Sequence, residues 1–210
     1  MNKALHILAV LDEMFPDAHV ELNHQNHFEL LIAVVLSAQT TDISVNKVTP
    51  LLFEKYPTPE LMSKAQIEDI ESLIKSIGLY RNKAKNIILL SKMIYEKYNN
   101  QIPNQRELLE ALPGVGRKTA NVVLSNAFGI PALAVDTHVA RVSIRLGLAK
   151  EHDSVLEIER KLMEKIPKKK WQKTHHQLIF FGRYHCLAKN PKCNKCPLFD
   201  ICLYKAKKIS

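Results

Sequence analysis

The residues best suited to chemistry lie in a short glycine-containing segment, residues 112–120, with the sequence LPGVGRKTA. Gly114 and Gly116 allow the backbone to turn sharply and bring its N–H groups close to a ligand. The spacing of the apolar residues that follow predicts a helix beginning at about Arg117. Amides at a helix N-terminus hold phosphate well, and Lys118 lies beside them. The segment therefore predicts a phosphate-binding turn with an adjacent amine.

Asp136, in the sequence DTH at residues 136–138, is the second candidate for chemistry. A carboxylate here can cap the helix that follows, and it can also accept a proton or stabilise a developing positive charge. A lysine can bind phosphate or, when neutral, act as a nucleophile. Residue types and spacing alone favour the cap for Asp136 and phosphate binding for Lys118.

All four cysteines of the chain are gathered near its C-terminus. They are Cys186, Cys193, Cys196 and Cys202, separated by 6, 2 and 5 residues. Thiolates grouped in this way predict a metal site rather than unpaired structural thiols. Structural zinc usually has two short cysteine pairs and only one is present, while four cysteines without histidine suit a [4Fe–4S] cluster equally well. The loop between the first two cysteines carries Lys189 and Lys192, so a bound metal could brace a basic loop that contacts phosphate.

The charge balance favours a polyanionic partner. The 210 residues include 30 Lys and Arg against 21 Asp and Glu, a net charge of +9. Nucleic acid is the first candidate for the partner, and a solvated basic surface is the alternative. The most apolar run, residues 28–36, is far too short to cross a membrane, and the N-terminus lacks a signal-peptide pattern. We therefore expect a cytoplasmic protein with no membrane partner, whose cysteines do not form disulfides.

Helical periodicity runs through the chain, without the alternation typical of strands. Helices are predicted over residues 2–15, 28–36, 43–55, 60–63, 66–76, 105–112 and 171–187, with others beginning near 80, 117, 137 and 154. Asp42 is expected to cap the helix over 43–55, although the polar stretch 37–42 also suits a recognition loop. Residues 78–84 match 114–120 at four positions with a constant offset of 36, which indicates either a second, degenerate hairpin or chance.

Taken together, residues 112–120, residues 135–138 and the cysteine spacing resemble the endonuclease III family, the bifunctional DNA glycosylase/AP lyases of the helix-hairpin-helix glycosylase superfamily. The likeness extends over almost the whole chain in the same order, including LSAQ at 36–39, IGLY at 77–80 and residues 175–202. A Gly-x-Gly turn or a Cys-x2-Cys pair alone would be weak evidence for this family, but the combination of motifs is highly specific to it.

The resemblance implies an all-α fold of two helical domains with a DNA-binding cleft between them. The first domain, residues 21–131, would contain six helices and the helix-hairpin-helix motif. The second, residues 1–20 and 132–210, would carry a C-terminal [4Fe–4S] cluster loop at 186–202. The implied partner is damaged double-stranded DNA, bound by a monomer at the nucleoid.

The resemblance also implies a role for each candidate residue. Lys118 matches the Schiff-base nucleophile and Asp136 the essential carboxylate, and the four cysteines match the ligands of the cluster. The expected DNA-binding residues are Gly114, Val115, Gly116 and Arg117 of the hairpin, Gln39 and Leu79 filling the gap left by an extruded nucleotide, His138 near the lesion pocket, and Lys189 and Lys192 of the basic loop.

The implied function is base excision repair: removal of oxidised or ring-saturated pyrimidines from duplex DNA, followed by strand cleavage on the 3′ side of the abasic site. One alternative is a monofunctional mismatch glycosylase of the same superfamily, which would lack a lysine at the position of Lys118. Another is a non-catalytic iron–sulfur module that binds DNA structure.

Overall fold

The computed structural model describes residues 2–206, and the periodicity of the sequence appears in it as helices joined by turns. No strand occurs within these residues, which confirms the predicted all-α class. The α-helices are α1 Lys3–Met14, α2 His27–Leu36, α3 Asp42–Lys55, α4 Pro59–Ser63, α5 Ile67–Ile74, α6 Tyr80–Tyr98, α7 Arg106–Glu110, α8 Arg117–Phe128, α9 Thr137–Arg145, α10 Val155–Lys165 and α11 Trp171–Phe180. None of these helices has the length and apolar character needed to span a membrane.

The chain divides into two compact units. Residues 21–130 form one, here called the hairpin unit, and residues 2–20 with 131–206 form the other, here called the cysteine unit. The hairpin unit contains α2 to α8, and the cysteine unit contains α1 and α9 to α11.

Helix α2 is the centre of the hairpin unit because it is buried on every side, as its uniformly apolar sequence predicts. Every residue from 28 to 36 is buried, including the charged Glu29. The Glu29 carboxylate accepts hydrogen bonds from the Gln25 backbone at 2.7 Å and from the Asn26 side chain at 3.2 Å. A buried carboxylate is tolerated because these donors replace water. Around α2 pack α8 and α6, and α6 in turn packs against α4 and α5.

In the cysteine unit, the N-terminal helix is held to α11 by a polar cluster at its C-terminal end. Gln177 donates hydrogen bonds to the Leu11 and Phe15 carbonyls and, at 2.9 Å, to the Asp12 carboxylate. Lys173 and Lys170 pair with the same carboxylate at 2.9 and 3.0 Å. The hydrogen bond from Gln177, followed by that from Lys173, holds the pKa of Asp12 well below its usual range. Helix α1 therefore joins this unit through apolar packing and a charged contact.

Helix boundaries in the cysteine unit follow the capping signals of the sequence. Ser154 and Glu157 form a reciprocal capping box at the start of α10. Gly147 follows α9 with φ of +71°, and the Leu148 N–H donates to the Ser143 carbonyl at 2.8 Å. This is the C-terminal motif that glycine favours.

Two helix ends differ from the sequence prediction. Thr41, rather than Asp42, caps α3, since its hydroxyl accepts the Ser44 N–H at 3.2 Å and leaves Asp42 as the first helical residue. An acid in a first turn still interacts favourably with the helix dipole. The helix predicted over 171–187 ends as an α-helix at Phe180 and continues as one π-helical turn, Phe181–His185. Such wider turns are mostly found at functional sites.

A buried histidine of α11 makes stability depend on pH. His176 is 5% exposed, and burial, reinforced by His175, His19 and Arg183, lowers its pKa to about 3. The unfolded chain has a pKa of about 6.5 at this residue. Below that pH the unfolded chain takes up a proton that the folded chain does not, so the free energy of unfolding falls by about 1.4 kcal/mol per pH unit.

We therefore expect the thermal unfolding midpoint to drop between pH 7.5 and pH 5, and the drop to be smaller in His176→Gln. The control is His152→Gln, which replaces an exposed histidine. Equal pH dependence in wild type and His176→Gln would contradict the assignment.

Candidate functional site

The glycine segment forms a tight turn between α7 and α8. The Leu112 N–H donates to the Leu109 carbonyl at 3.0 Å and the Val115 N–H to the Leu112 carbonyl at 3.1 Å. Gly114 has φ of +78°, a conformation that glycine adopts without strain. Val115 is 6% exposed and anchors the turn in the core. The predicted hairpin is thus a rigid turn with its glycines on the surface.

The start of α8 has the properties of an anion-binding end. Gly116 is the N-cap, contributes no side-chain cap, and is followed by a first turn that contains no acidic residue. Nothing in this turn therefore offsets the positive end of the helix dipole. Arg117 and Lys118 are both exposed there. No hydrogen bond or ion pair engages the Lys118 side chain within residues 2–206, so the amine faces solvent beside the amide-lined turn.

Two further turns of the hairpin unit present the side chains expected to enter DNA. Gln39 follows α2 with φ of +55°, and Leu79 precedes α6 with φ of +60°. Both side chains are exposed, Leu79 by 54%. A side-chain-bearing residue with positive φ is uncommon, and strained residues of this kind cluster at functional sites. The two turns are neighbours, since a Cβ built on Gly78 would lie 3.9 Å from the Gln39 carbonyl oxygen.

The faint repeat of the hairpin at residues 78–84 has a different backbone. In the hairpin the positive φ falls on Gly114, two residues before the N-cap of α8. In the second segment it falls on Leu79, which is itself the N-cap of α6, and Gly78 does not have a positive φ. The sequence match therefore does not correspond to a second copy of the same turn.

Asp136 lies in the cysteine unit as the N-cap of α9, as predicted. Its Oδ1 accepts the Val139 N–H at 2.8 Å. Within residues 2–206 no hydrogen bond is made to its other carboxylate oxygen. Capping uses one oxygen and leaves the second available, so the structural and chemical roles weighed for Asp136 are compatible.

The backbone leading to Asp136 is fixed from α11. Residues 132–135 are buried, and the ring of His175, 2% exposed, makes a 2.9 Å hydrogen bond through Nδ1 to the Ala134 carbonyl. Since the carbonyl can only accept, His175 carries its proton on Nδ1. The approach to Asp136 is therefore held by a side chain that is 41 residues further along the chain.

His138, in the first turn of α9, contacts an arginine that spans two elements. Arg141 Nη2 lies 3.2 Å from His138 Nδ1 and donates to the Gly182 carbonyl at 2.8 Å. Burial lowers the pKa of His138, against the opposing effect of Asp136. A Cβ on Gly182 would lie 2.9 Å from His138 Cβ, so only glycine allows the π-helical turn to approach α9 this closely.

The four cysteines line one cavity of the cysteine unit. They share it with Leu146, Phe181, His185, Pro191, Lys192, Phe199 and Tyr204. All four are partly buried and free of disulfides. Burial raises the pKa of the Cys186 and Cys196 thiols, and a hydrogen bond from Arg145 opposes this rise at Cys186. Lys189 and Lys192 are exposed on the loop between Cys186 and Cys193.

The number and type of these side chains suit an iron–sulfur cluster, which is held by four cysteine thiolates. Within residues 2–206 no three His, Cys, Asp or Glu side chains converge closely enough to chelate one metal ion. A lone zinc ion would require sulfurs about 2.3 Å from the metal. In a four-iron cluster each cysteine binds a different iron, so the thiols stay further apart. Four partly buried thiols on one cavity supply the ligands that such a cluster needs.

Arg145, at the C-terminal end of α9, packs directly on this cavity. Its Nη1 lies 3.3 Å from Cys186 Sγ and 2.7 Å from the Leu187 carbonyl. The guanidinium lies 3.9 Å from the centre of the Tyr204 ring. Donors of this kind orient metal ligands and stabilise their negative charge. No local sequence pattern marks Arg145 or Gly182 as functional, because their partners are distant along the chain.

Comparisons with known proteins agree with this geometry. Residues 32–168 match the HhH-GPD superfamily of base excision DNA repair proteins, and residues 186–202 match the iron–sulfur binding domain of endonuclease III. Endonuclease III of Bacillus subtilis is 60% identical over 91% of this chain and 88% of its own, and that of Escherichia coli is 49% identical over 99% of both.

Two solved structures are similar to this chain over almost its whole length. A trapped endonuclease III–DNA covalent intermediate is 58% identical and covers 97% of this chain and 96% of its own, with a TM-score of 0.93. A thermostable thymine-DNA glycosylase is 25% identical and covers 96% of both chains, with a TM-score of 0.87.

The two glycines of the hairpin are not equivalent, which a pair of substitutions can show. In Gly114→Ala the new Cβ would lie 2.8 Å from Asn86 Nδ2 on a backbone of positive φ, whereas in Gly116→Ala nothing lies within 4 Å. We expect Gly114→Ala to lower the thermal midpoint by roughly 2–4 °C or more, the effect of about 1 kcal/mol in a chain of this size. Gly116→Ala should leave it within about 1 °C. Equal destabilisation by both would refute the positional assignment.

Proposed function

Because the chain belongs to the endonuclease III family of the HhH-GPD superfamily of base excision DNA repair proteins, we propose that it removes oxidised or ring-saturated pyrimidines from duplex DNA. The chain is a bifunctional DNA glycosylase and AP lyase. The proposal concerns the class of lesion and the residues that carry out each step.

The observation that carries the residue assignment is the exposed, unengaged amine of Lys118 in the first turn of α8. The adjacent hairpin can hold a phosphate through backbone amides without reading sequence. A bound phosphate would bring a neighbouring sugar within reach of that amine. Lys118 must be neutral to attack, because only the deprotonated amine has a free electron pair.

The chemistry follows from an amine attacking the anomeric carbon. Neutral Lys118 forms a bond to C1′ while the bond to the damaged base breaks, and the sugar opens to give an imine between C1′ and Nζ. The imine withdraws electrons and acidifies the C2′ protons. Loss of one of them expels the 3′ phosphate by β-elimination, which cuts the strand on the 3′ side.

Asp136 is proposed to assist the departure of the base. Its second oxygen, which the capping hydrogen bond leaves unused, can accept a proton or stabilise positive charge developing on the sugar. Lys118 belongs to the hairpin unit and Asp136 to the cysteine unit. The proposal is that both act on the same nucleotide, so that DNA contacts both units.

Base removal requires the nucleotide to leave the duplex, and the hairpin unit has side chains suited to this. An enzyme that acts on C1′ flips its target out of the stack and fills the gap. We assign the filling role to Gln39, which offers an amide, and to Leu79, which offers an apolar wedge. The exposure and adjacency of their two turns support this assignment.

The remaining DNA contacts are assigned to the cysteine unit. The chain binds a [4Fe–4S] cluster. We propose that its ligands are Cys186, Cys193, Cys196 and Cys202, which all lie within the matched residues 186–202. When bound, the cluster supplies iron–thiolate bonds that close the loop between the first two cysteines. Lys189 and Lys192 on that loop are proposed to contact backbone phosphates, and His138 is proposed to lie near the lesion.

The monofunctional mismatch glycosylases are the alternative within the superfamily. Lys118 favours the bifunctional mechanism, since base removal by activated water would need no amine. In a non-catalytic DNA-binding module Lys118 would only bind phosphate and would form no imine with the sugar. Because one chain supplies every residue named here, we propose action as a monomer, on DNA of the nucleoid.

Borohydride reduction tests the nucleophile. With a duplex containing one oxidised pyrimidine, we expect wild-type protein to yield a covalent protein–DNA adduct, since the imine is reduced to a stable amine. Lys118→Gln should yield none, and Lys97→Gln, which replaces an exposed lysine of α6, should yield the wild-type amount. Trapping that persists in Lys118→Gln would overturn the assignment. Duplexes carrying purine lesions, run in parallel, test the substrate class.

Metal analysis tests the ligand set. The purified protein should be brown and contain about four irons per chain, and Cys202→Ala should lose most of the iron. A colourless, zinc-containing protein with full activity would contradict the cluster.

A further inference from the structure

The turns that carry Gln39 and Leu79 are held in a conformation that neither residue prefers. Both residues are in the left-handed region, which crowds Cβ against the backbone. Both side chains are exposed, so apolar packing of these side chains does not explain the conformation. Such strain persists only where surrounding contacts over-determine the backbone. Some other group must therefore hold the two turns.

Lys83 is bonded to both turns. Its Nζ donates a 2.6 Å hydrogen bond to Thr40 Oγ1, across 43 residues of sequence, and its backbone N–H donates to the Leu79 carbonyl at 3.0 Å. The Thr40 hydroxyl in turn donates to the Ala38 carbonyl at 3.4 Å. These contacts bracket Gln39 on both sides and meet Leu79 from the helix that follows it.

The burial of this lysine is unusual. Lys83 is 4% exposed and lies on the face of α6 that also carries the buried Ile87, Leu90 and Ile94. Within residues 2–206 its ammonium pairs with no carboxylate, and its hydrogen-bond partner is a neutral hydroxyl. Burial lowers the pKa of Lys83 accordingly. A helix stripe that served only the core would carry an apolar residue at this position, since burying an unpaired ammonium is unfavourable.

We propose that Lys83 is a positioning residue for nucleotide extrusion. By tying Thr40 to the start of α6, it holds Gln39 and Leu79 at a fixed separation, so that both enter the duplex together when the damaged nucleotide leaves it. The inference rests on the gap-filling role proposed above for these two residues. It adds that their joint placement depends on one hydrogen bond between their turns.

Lys83 should affect base removal and strand cleavage differently. Removing a damaged base requires a base pair to be broken and the base to be unstacked, whereas a preformed abasic site has no base to extrude. Loss of the Lys83–Thr40 hydrogen bond should therefore slow base removal and largely spare strand cleavage at an abasic site. A general loss of structure would slow both steps.

The experiment uses the full, cluster-containing chain under single-turnover conditions. Lys83→Met keeps most of the apolar stem of the side chain and removes the ammonium. Thr40→Val keeps the shape of a half-buried side chain and removes its hydroxyl. For each variant we expect base release from a pyrimidine-lesion duplex to fall roughly tenfold or more, as for loss of a hydrogen bond from a charged donor. Cleavage of a preformed abasic duplex should stay within about threefold of wild type.

A fluorescent base gives a readout independent of chemistry. 2-Aminopurine placed opposite the lesion brightens when it is unstacked, and the brightening on protein binding should diminish in Lys83→Met and Thr40→Val. Thr40→Ser restores the hydroxyl and should restore the signal. Lys85→Met, which replaces an exposed lysine two positions along α6, should behave as wild type.

The outcomes test separately the positioning role of Lys83 and the gap-filling role of Gln39 and Leu79. Equal losses in base release and abasic-site cleavage, or no loss in Thr40→Val, would overturn the role of Lys83. The effects of Lys83→Met and Thr40→Val should not add in the double variant, because both remove the same bond; additive effects would also overturn it. If Gln39→Ala and Leu79→Ala leave fluorescence and base release unchanged, the gap-filling role itself fails.

Discussion

One face of α6 lies against three turns of the hairpin unit. Leu79, Lys83 and Asn86 follow one another at helical spacing, and each meets a different turn. Leu79 forms the turn that precedes the helix, Lys83 bonds to Thr40 in the Gln39 turn, and Asn86 lies against Gly114 of the hairpin. The positive-φ residues at 39, 79 and 114 therefore lie in turns that are all adjacent to one helix. The hairpin proposed to bind phosphate and the two residues proposed to fill the gap in DNA are therefore positioned next to the same helix.

Helix α9 plays the corresponding part in the cysteine unit. Its N-cap is Asp136 and its last residue is Arg145, which donates to Cys186 Sγ. Between them Arg141 donates to the Gly182 carbonyl of the π-helical turn that leads into Cys186. The carboxylate proposed for catalysis and the wall of the cluster cavity are thus opposite ends of one nine-residue helix. Displacing either end would strain contacts at the other.

Several residues have a structural role and a proposed chemical role together. Asp136 caps a helix with one oxygen and has the other available, and the hairpin that ends α7 also starts the helix bearing Lys118. Residues at helix ends can have both roles because the helix end itself supplies part of the site. A helix N-terminus already has a positive dipole end and amides without partners, so few side chains are needed to complete an anion-binding or charge-stabilising site.

The sequence by itself determined the all-α class, the buried α2, the hairpin, the cap at Asp136 and the grouped cysteines, because each depends on residues that lie close together in the chain. The sequence shows Lys83 as a lysine on the apolar stripe of α6, but it does not show that Thr40 is its hydrogen-bond partner. The bonds of Lys83 to Thr40, Arg145 to Cys186 and Gln177 to Leu11 join residues 43, 41 and 166 positions apart. Only the tertiary structure decided these pairs, since packing of distant helices, and no local preference, brings a buried donor to its acceptor.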